Sequence, residues 1–546
     1  MPRLDRTHLW PLRLLAYEAV VVVLTWPLAL QLGDTLPVGT EDALTVPLYN
    51  LWALRWNADR LGHLYVGYWN APIFHPEPGA LALSETLLPQ GVVFALGDAI
   101  FGRPVFVYNV LLLAILVLNA QAASRLLLTL RVAAPAAFLG GIVAAALPFV
   151  SNEMGVVQLC VLFPIFYCLD ALRRYTVTGR GGARLGIWTG LTALTCSYYG
   201  LMLTVFMVPA AVCLGRRAHL ARRPLAELAA AGLLACAVAL PILLTQANLT
   251  ENQHRDRRDV ARGSADWVDY AALDEHSVGG RWLPWLKPIA VHPLYPGTVL
   301  LVLGALGAHL GSVAHPRWVL FCLLGLLVAF VLSLGTNLSL GPLRPFEILG
   351  AYVPGFAQMR NAFRFGVFTQ IFLLSLSGYA LHALWSWRGR IGPALCICLV
   401  VLGCIEVAAP TVLRPAPRAA LKAPWIDFLR AQPDGAVIVL PVAEYGPSRG
   451  FEATVVAMLQ GLEHRKPLVN GYSGMLPASN IALAEWNKHF PSQPGASYLR
   501  RTGVAYLVIG NDWWTAQRRR QLAHHGDVLE AIYRDDTTRI YRVKEK

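Results

Sequence analysis

Two small sets of residues in this chain have the types and spacing for group transfer. Glu41 and Asp42 form an acidic pair just beyond the first long apolar segment, at the start of an aromatic-rich loop. A carboxylate in that position can take a proton from an attacking hydroxyl, a step typically worth about 10²–10⁴-fold; the plainer reading is a capping or solvated pair. Arg360 and Arg364 form the second set, within Gln358-Met359-Arg360-Asn361-Ala362-Phe363-Arg364-Phe365. Four residues apart on a helix they share one face, and guanidinium groups bind phosphate through paired N–H donors. A charge deep in a membrane helix costs about 2.5–3.5 kcal/mol on insertion scales, so such arginines are functional or paired, unless they snorkel to headgroups. Glu85, in Leu83-Ser84-Glu85-Thr86, either supports the acidic site or serves as a helix N-terminal carboxylate. Glu153, after Ser151-Asn152, is placed for substrate contact or simply stays wet.

The elements that carry these residues are membrane spans. Of 546 residues 55% are hydrophobic and 14% charged, and the mean hydropathy is +0.48; this composition belongs to a polytopic membrane protein. Apolar segments of spanning length, roughly 17–25 residues, fall near 14–33, 104–126, 133–151, 157–173, 183–197, 198–215, 224–246, 295–312, 317–336, 363–385 and 391–409. They predict about eleven transmembrane helices. The N-terminus has basic residues before an apolar run but no small-x-small cleavage site, and reads as a retained first span.

The net charge of +13 raises a nucleic-acid patch as a possibility. The arginines argue against it, because they cluster between apolar runs: Arg3/Arg6/Arg13, Arg125/Arg131, Arg173/Arg174/Arg180/Arg184, Arg216/Arg217/Arg222/Arg223, Arg317 and Arg388/Arg390. These connections alternate, which the positive-inside rule assigns to the cytoplasm. The N-terminus is then cytoplasmic, and the loops at 34–103, 247–294 and 337–362 and the segment after about 410 lie on the opposite side. The basic run His254 to Arg262 reads as a solvated charge cluster in a long translocated loop. Within the 34–103 loop, Leu44, Leu48, Leu51, Leu54, Ala58 and Leu61 recur at helical spacing while Asn50, Asn57, Asp59 and Arg60 point elsewhere. That stripe predicts a helix lying on the bilayer surface or packed on protein.

Prolines 410, 415 and 417 mark a linker, after which the pattern becomes that of a small soluble α/β domain. The predicted division is 1–410 as the transmembrane domain with its interfacial loop helices, and 411–546 as an extracytoplasmic α/β domain. Strands are predicted at 436–440, 504–509 and 538–543, and helices at 451–462 and 478–488, a Rossmann-like layer without a glycine-rich nucleotide turn. P-loop, His-Glu-x-x-His, Gly-x-Ser-x-Gly and Cys-x-x-Cys signatures are absent from the sequence, which removes nucleotide hydrolysis, zinc hydrolysis and serine acyl transfer as first readings. The nine cysteines all lie in or at the ends of apolar runs and imply neither disulfides nor a zinc site. Gly304, Gly307 and Gly311 predict close helix packing.

Taken in order, these motifs resemble the GT-C superfamily of membrane glycosyltransferases, and within it the bacterial GT-C-like proteins that end in a soluble domain. The resemblance runs through Gly39-Thr40-Glu41-Asp42-Ala43-Leu44, Tyr49-Asn50-Leu51-Trp52, Phe74-His75-Pro76, Leu83-Ser84-Glu85, Tyr108-Asn109, Ser197-Tyr198-Tyr199-Gly200-Leu201, the Arg360/Arg364 segment and Pro467-Leu468-Val469-Asn470-Gly471-Tyr472-Ser473-Gly474. It implies a multi-pass protein of the bacterial inner membrane that takes a hexosyl or pentosyl group from a polyprenyl-phosphate donor. The acceptor is an extracytoplasmic lipid, glycan or protein, reached by inverting displacement without a cofactor or obligatory metal. Asp42 would be the first-loop catalytic acid, with Glu41 one residue away and Glu85 in support. Arg360 and Arg364 would hold the donor phosphate, and Glu153, Tyr198, Tyr199, Asn470 and Tyr472 would contact substrate. The competing readings are a transporter or flippase of a lipid-linked glycan, and a non-catalytic scaffold of polysaccharide assembly.

Overall fold

The structure, a computed structural model, describes residues 10–250, 257–274, 276–282, 291–339, 341–387, 389–443, 448–491, 498–499 and 502–544. Arg3, Arg6, Arg388 and residues 254–256 of the basic run lie outside the described residues. The chain begins with helix α1 (Trp10–Leu24) and strand β1 (Thr35–Pro37), then α2 (Thr45–Gly62) and α3 (Leu88–Phe101). A helical series follows: α4 (Pro104–Thr129), α5 (Ala134–Ala145), α6 (Phe163–Thr178), α7 (Gly182–Thr195), α8 (Ser197–Leu214) and α9 (Arg222–Thr250). It continues with α10 (Thr298–Ala314), α11 (Pro316–Ser333), α12 (Gly366–Trp385) and α13 (Ile391–Val407). The last stretch holds β2 (Leu413–Pro415), β3 (Ala436–Leu440), α14 (Glu452–His464), α15 (Ala478–His489), β4 (Val504–Gly510), β5 (Leu529–Arg534) and β6 (Thr538–Val543).

Among the described residues six segments are long and apolar enough to cross a membrane: Pro104–Thr129, Ala134–Asn152, Ser197–Leu214, Arg222–Leu249, Pro316–Ser333 and Ala362–Trp385. They coincide with six of the predicted spans. The segments predicted at 14–33, 157–173, 183–197, 295–312 and 391–409 fall on α1, α6, α7, α10 and α13, helices of 15, 16, 14, 17 and 17 residues. Local chemistry explains some of this shortening. Residues 157–160 form a 3-10 turn ahead of α6, and Pro164 at its first turn suits a helix start rather than an interior.

The chain divides into two compact units, each discontinuous in sequence: residues 1–32 with 109–412, and residues 33–108 with 413–546. The first unit is helical and packs through small residues, as membrane helices do when no hydrophobic force drives them together. A Cβ built on Gly307 would lie 2.0 Å from the Leu376 carbonyl oxygen, and one on Gly311 would lie 2.5 Å from the Tyr379 ring. The α10 glycines therefore let it lie directly on α12. Gly182, Gly186 and Gly190 do the same for α7 on α9, against Glu227, Ala231 and Val238. The buried Asp170 carboxylate accepts from Arg174 Nε at 2.9 Å and has Arg125 Nε at 3.8 Å, so this acid in α6 is paired where hydrocarbon would penalise a lone charge.

In the second unit the loop at 34–103 and the chain after 412 form one fold. β1 pairs antiparallel with β2, Thr35 opposite Pro415. The four-stranded sheet has order β3-β4-β6-β5, with β3 and β4 parallel and the other pairs antiparallel. The Rossmann-like expectation thus describes only the β3/β4 pair, whose helical crossover a parallel connection requires. Beside β3, Val469 N–H donates to Val437 O at 2.9 Å; beyond it, His75 N–H donates to Leu468 O at 2.8 Å and Phe74 N–H to Asn470 O at 3.2 Å. The segment at 467–470 therefore covers the β3 edge and is itself covered by 72–75.

Helix α2 is packed on protein. Asn50 and Asn57, expected on its wet side, are 1% and 0% exposed, and Asn57 Nδ2 donates to Ala53 O and Thr86 O, both at 2.8 Å. The stripe identified the helix, but Asn57 is buried because its amide satisfies the Ala53 carbonyl of the helix and the Thr86 carbonyl of the loop. The helix with an open apolar face is α3, where Val93, Leu96 and Ile100 are 56%, 61% and 75% exposed.

Candidate functional site

The candidate residues fall into one group in each unit. In the second unit, Glu41 and Asp42 stand on the turn between β1 and α2, closed by Glu41 N–H donating to Val38 O at 3.0 Å. Neither caps α2, which begins after Leu44 with no side-chain cap from its own flank. The capping acid is Glu452 at the first turn of α14, whose Oε2 accepts from Leu44 N–H at 3.0 Å. Thr45 Oγ1 adds a hydrogen bond to Ser448 O at 2.8 Å. With Glu452 already at the positive end of α2, the acidic pair is released from that duty. Asp42 is exposed and, among the described residues, makes no hydrogen bond or ion pair; Glu41 is half-buried and engaged.

Behind this turn lies an aromatic cluster. The Tyr49 and Tyr472 rings meet edge to face at 5.8 Å, and Tyr472 lies 5.2 Å from Phe451, the neighbour of Glu452. Burial pushes the Tyr49 phenol well above its ordinary range, with Ser84 and Ser473 as opposing hydrogen-bond partners and Glu85 as an acidic neighbour. Glu85 is 8% exposed and engaged, in the extended stretch before α3 rather than at that helix's cap, which is Leu87. Met475 N–H donates to Leu83 O at 3.0 Å, so Leu83-Ser84-Glu85 and the 467–475 loop, distant in sequence, are joined. Asn470 has a structural task here: its Oδ1 accepts from Val439 N–H and its Nδ2 donates to Val439 O, both at 2.8 Å.

In the first unit the centre is Arg364. Its guanidinium lies 4.5 Å over the Tyr198 ring and 5.9 Å from Phe363, contacts of cation–π type. Arg364 Nε is buried and has no hydrogen-bond partner among the described residues. Glu153, Tyr198, Tyr199 and Cys196 are its main electrostatic neighbours. Tyr199 is fully buried, its hydroxyl donating to Leu159 O at 2.7 Å, which makes it a tether between segments. Arg360 goes elsewhere. Residues 360–361 are not helical and 362–365 form a 3-10 turn before α12, so the argument from a shared helical face does not apply. Arg360 is exposed, its Nε donating to Asn361 Oδ1 at 3.3 Å.

Sequence reasoning missed two residues. His292 stacks on Phe363 with centroids 3.9 Å apart and an interplanar angle of 4°. Burial holds its imidazole below the usual range, with Arg364 acting the same way and the Arg262 carbonyl and Asp269 opposing. The available signal was a histidine three residues ahead of a predicted span. Glu452 is the other, signalled by an acid opening a predicted helix. Among the described residues no group of three His, Cys, Asp or Glu side chains could hold a metal ion.

No family model matches the sequence, and comparison with curated proteins finds no relative. Solved structures share the fold. The arabinofuranosyltransferase AftD from Mycobacteria superposes with a TM-score of 0.59 at 16% identity, over 98% of this chain and 40% of AftD. The oligosaccharyltransferase of Archaeoglobus fulgidus gives 0.51 at 12% identity, over 98% of this chain and 75% of its own. The chain thus spans about two-fifths of the length of AftD. These are GT-C glycosyltransferases, and the fold of this multi-pass membrane protein is theirs.

Proposed function

We propose that this chain is a GT-C type glycosyltransferase that moves a sugar from a polyprenyl-phosphate donor to an acceptor outside the cytoplasm. In this reading the protein has about eleven spans and lies in a bacterial inner membrane with its N-terminus inside, as the arginine pattern requires. The observation that carries the proposal is Arg364: a half-buried residue whose Nε is buried and has no hydrogen-bond partner among the described residues, its guanidinium stacked on Tyr198, with Glu153 as acidic neighbour and His292 stacked on the adjoining Phe363. Arginine is expensive in such a place unless it meets an anion.

The acceptor oxygen attacks the anomeric carbon as the bond from that carbon to the phosphate oxygen breaks, and the electron pair leaves with the lipid phosphate. Asp42, exposed at the turn before α2, takes the acceptor's proton, and Arg364 stabilises the departing phosphate. Glu41, Glu85 and Tyr472 hold the turn and aromatic wall around Asp42, and Arg360 is assigned to the donor phosphate with Arg364. Attack opposite the leaving group inverts the anomeric centre.

The test uses the full chain in nanodiscs, with radiolabelled polyprenyl-phosphate pentoses and hexoses as donors and envelope lipid and glycan extracts as acceptors. Asp42→Asn lowers kcat by about 10²–10⁴-fold with donor binding kept. Arg364→Lys retains charge but loses the planar fork, so farnesyl phosphate binds more weakly. Full turnover by Asp42→Asn and by Glu41→Gln, both folded, refutes the base assignment. Unchanged farnesyl phosphate affinity in Arg364→Lys refutes the phosphate assignment.

A further inference from the structure

At the arginine-rich end of the helical unit, three polar atoms are buried without hydrogen-bond partners among the described residues: Arg173 Nε, His315 Nδ1 and the Tyr379 hydroxyl. They come from α6, from the turn between α10 and α11, and from the last turns of α12, and they lie together. The His315 and Tyr379 rings are 5.5 Å apart. Arg173 is the charged neighbour that acts on both. Its guanidinium lies 5.7 Å from the Trp318 ring, one turn into α11. Tyr379 is held in place because its ring lies on Gly311, where a Cβ would come within 2.5 Å, and it is only 7% exposed.

The charge here is of one sign. Arg131 and Arg216, both exposed, are the cations that bear on Arg173. Among the described residues none of Arg131, Arg173 and Arg216 forms an ion pair, although in the same helix Asp170 is paired with Arg174 and Arg125. The His315 imidazole is held below its ordinary range by burial and then by Arg173 and Arg131. It is therefore neutral at pH 7 and able to donate one N–H. A half-buried guanidinium, a phenol and an imidazole nitrogen grouped together and ringed by arginines, without partners among the described residues, suit an anion that would satisfy them. The first turn of α11, which His315 precedes, adds its positive end.

We infer that this end of the bundle is a built binding site for a phosphate group, that of an anionic phospholipid headgroup, with Arg173, His315 and Tyr379 as its floor and Arg131 and Arg216 as its rim. The positive-inside rule puts it at the cytoplasmic leaflet, where such lipids concentrate. A lipid source fits because the floor lies at the ends of spanning helices, where a headgroup arrives already tethered by its tails. The site owes nothing to the transfer chemistry proposed above.

The test is equilibrium binding by native mass spectrometry, with thermal unfolding of the detergent-solubilised full chain. The probes are dioctanoyl phosphatidylglycerol, dioctanoyl phosphatidylcholine and inorganic phosphate. The wild type binds phosphatidylglycerol saturably and in preference to phosphatidylcholine, and unfolds at a higher temperature with it. Tyr379→Phe removes a hydroxyl that has no partner among the described residues, so unfolding without lipid is unchanged while phosphatidylglycerol affinity falls about tenfold. Arg173→Gln weakens it by more than about tenfold; should that variant fail to fold, Tyr379→Phe carries the test. Equal binding of both lipids, or wild-type affinity in Tyr379→Phe, overturns the site. Inorganic phosphate displacing phosphatidylglycerol at equal concentration upholds the phosphate site and overturns the lipid as its source.

Discussion

A carboxylate left in water and a guanidinium taken out of it carry different information. Asp42 is exposed and, among the described residues, makes no bond, which suits a base waiting for a substrate and equally suits a solvated side chain; its neighbourhood decides. Because Glu452 caps α2, the acidic pair is not needed for folding that helix. Arg364 speaks more directly, since the burial of its Nε has to be offset by something. His464 shows the same logic with a readable consequence. It is 1% exposed, accepts from Lys466 N–H at 3.1 Å through Nδ1, and is pushed down to about 4 by burial, then by Lys466 and Arg430. An unfolded histidine titrates near 6.5. Between pH 6.5 and 4 the unfolded chain binds the extra proton, so stability falls as pH falls, by about 3 kcal/mol across that window. Thermal unfolding from pH 7.5 to 4 should show a shallower loss in His464→Asn, whose Oδ1 can accept the same N–H; an identical slope would place the acid sensitivity elsewhere. Asp42 and Arg364 stand out in the sequence because charge is rare in this chain. The part played by His292 was not, because stacking on Phe363 depends on a loop returning to a span.

Helices and strands were legible to the extent that their patterns are local. Strands at 436–440, 504–509 and 538–543 appear where apolar runs announced them, whereas β5 was missed: an edge strand with Glu530 exposed carries little alternation to detect. The α2 stripe located the helix but not its wet face, since the buried Asn57 amide also bonds the Thr86 carbonyl about 30 residues onward. The glycines of α10 were read as packing residues, and their geometry sets a sharp expectation. Gly307→Ala places a methyl 2.0 Å from the Leu376 carbonyl oxygen, a backbone atom that cannot turn aside. The helices must part, at a cost of about 1–3 kcal/mol. Gly232→Ala, in α9 with nothing within 4 Å of the new Cβ, is the matched control and gains up to about 1 kcal/mol from helix propensity. Unfolding midpoints in detergent should move in opposite directions for the two variants; a shared direction would mean that the α10/α12 contact does not limit stability.

At the scale of the molecule, sequence order and folding unit part company. The prolines near 410 mark the start of the α/β domain expected at 411–546, and the compact unit after 412 also includes residues 33–108. Composition could not reveal this, because both segments are amphipathic and their partnership lies in backbone pairing: β1 with β2, and 72–75 with 467–470. The motifs of the first loop and of the tail, weak when read singly, are two sides of one structure, with Tyr49 against Tyr472 and Leu83 bonded to Met475. A chain ended at Val412 therefore loses more than its tail. It uncovers Leu48, Trp52 and Phe74, each 0–1% exposed in the whole protein, and strips Arg55 of Glu463, its partner at 2.6 Å. Burial of side chains this large contributes roughly 1.5–3 kcal/mol each, beyond what an isolated loop of two helices could replace. Limited trypsin digestion is expected to cut the truncated chain at Arg55 and Arg60 while the intact chain resists there, and co-expression of residues 413–546 should restore protection. Equal resistance in the truncated chain would show that the first loop folds without the tail, and that the acidic turn owes its shape to its own residues alone.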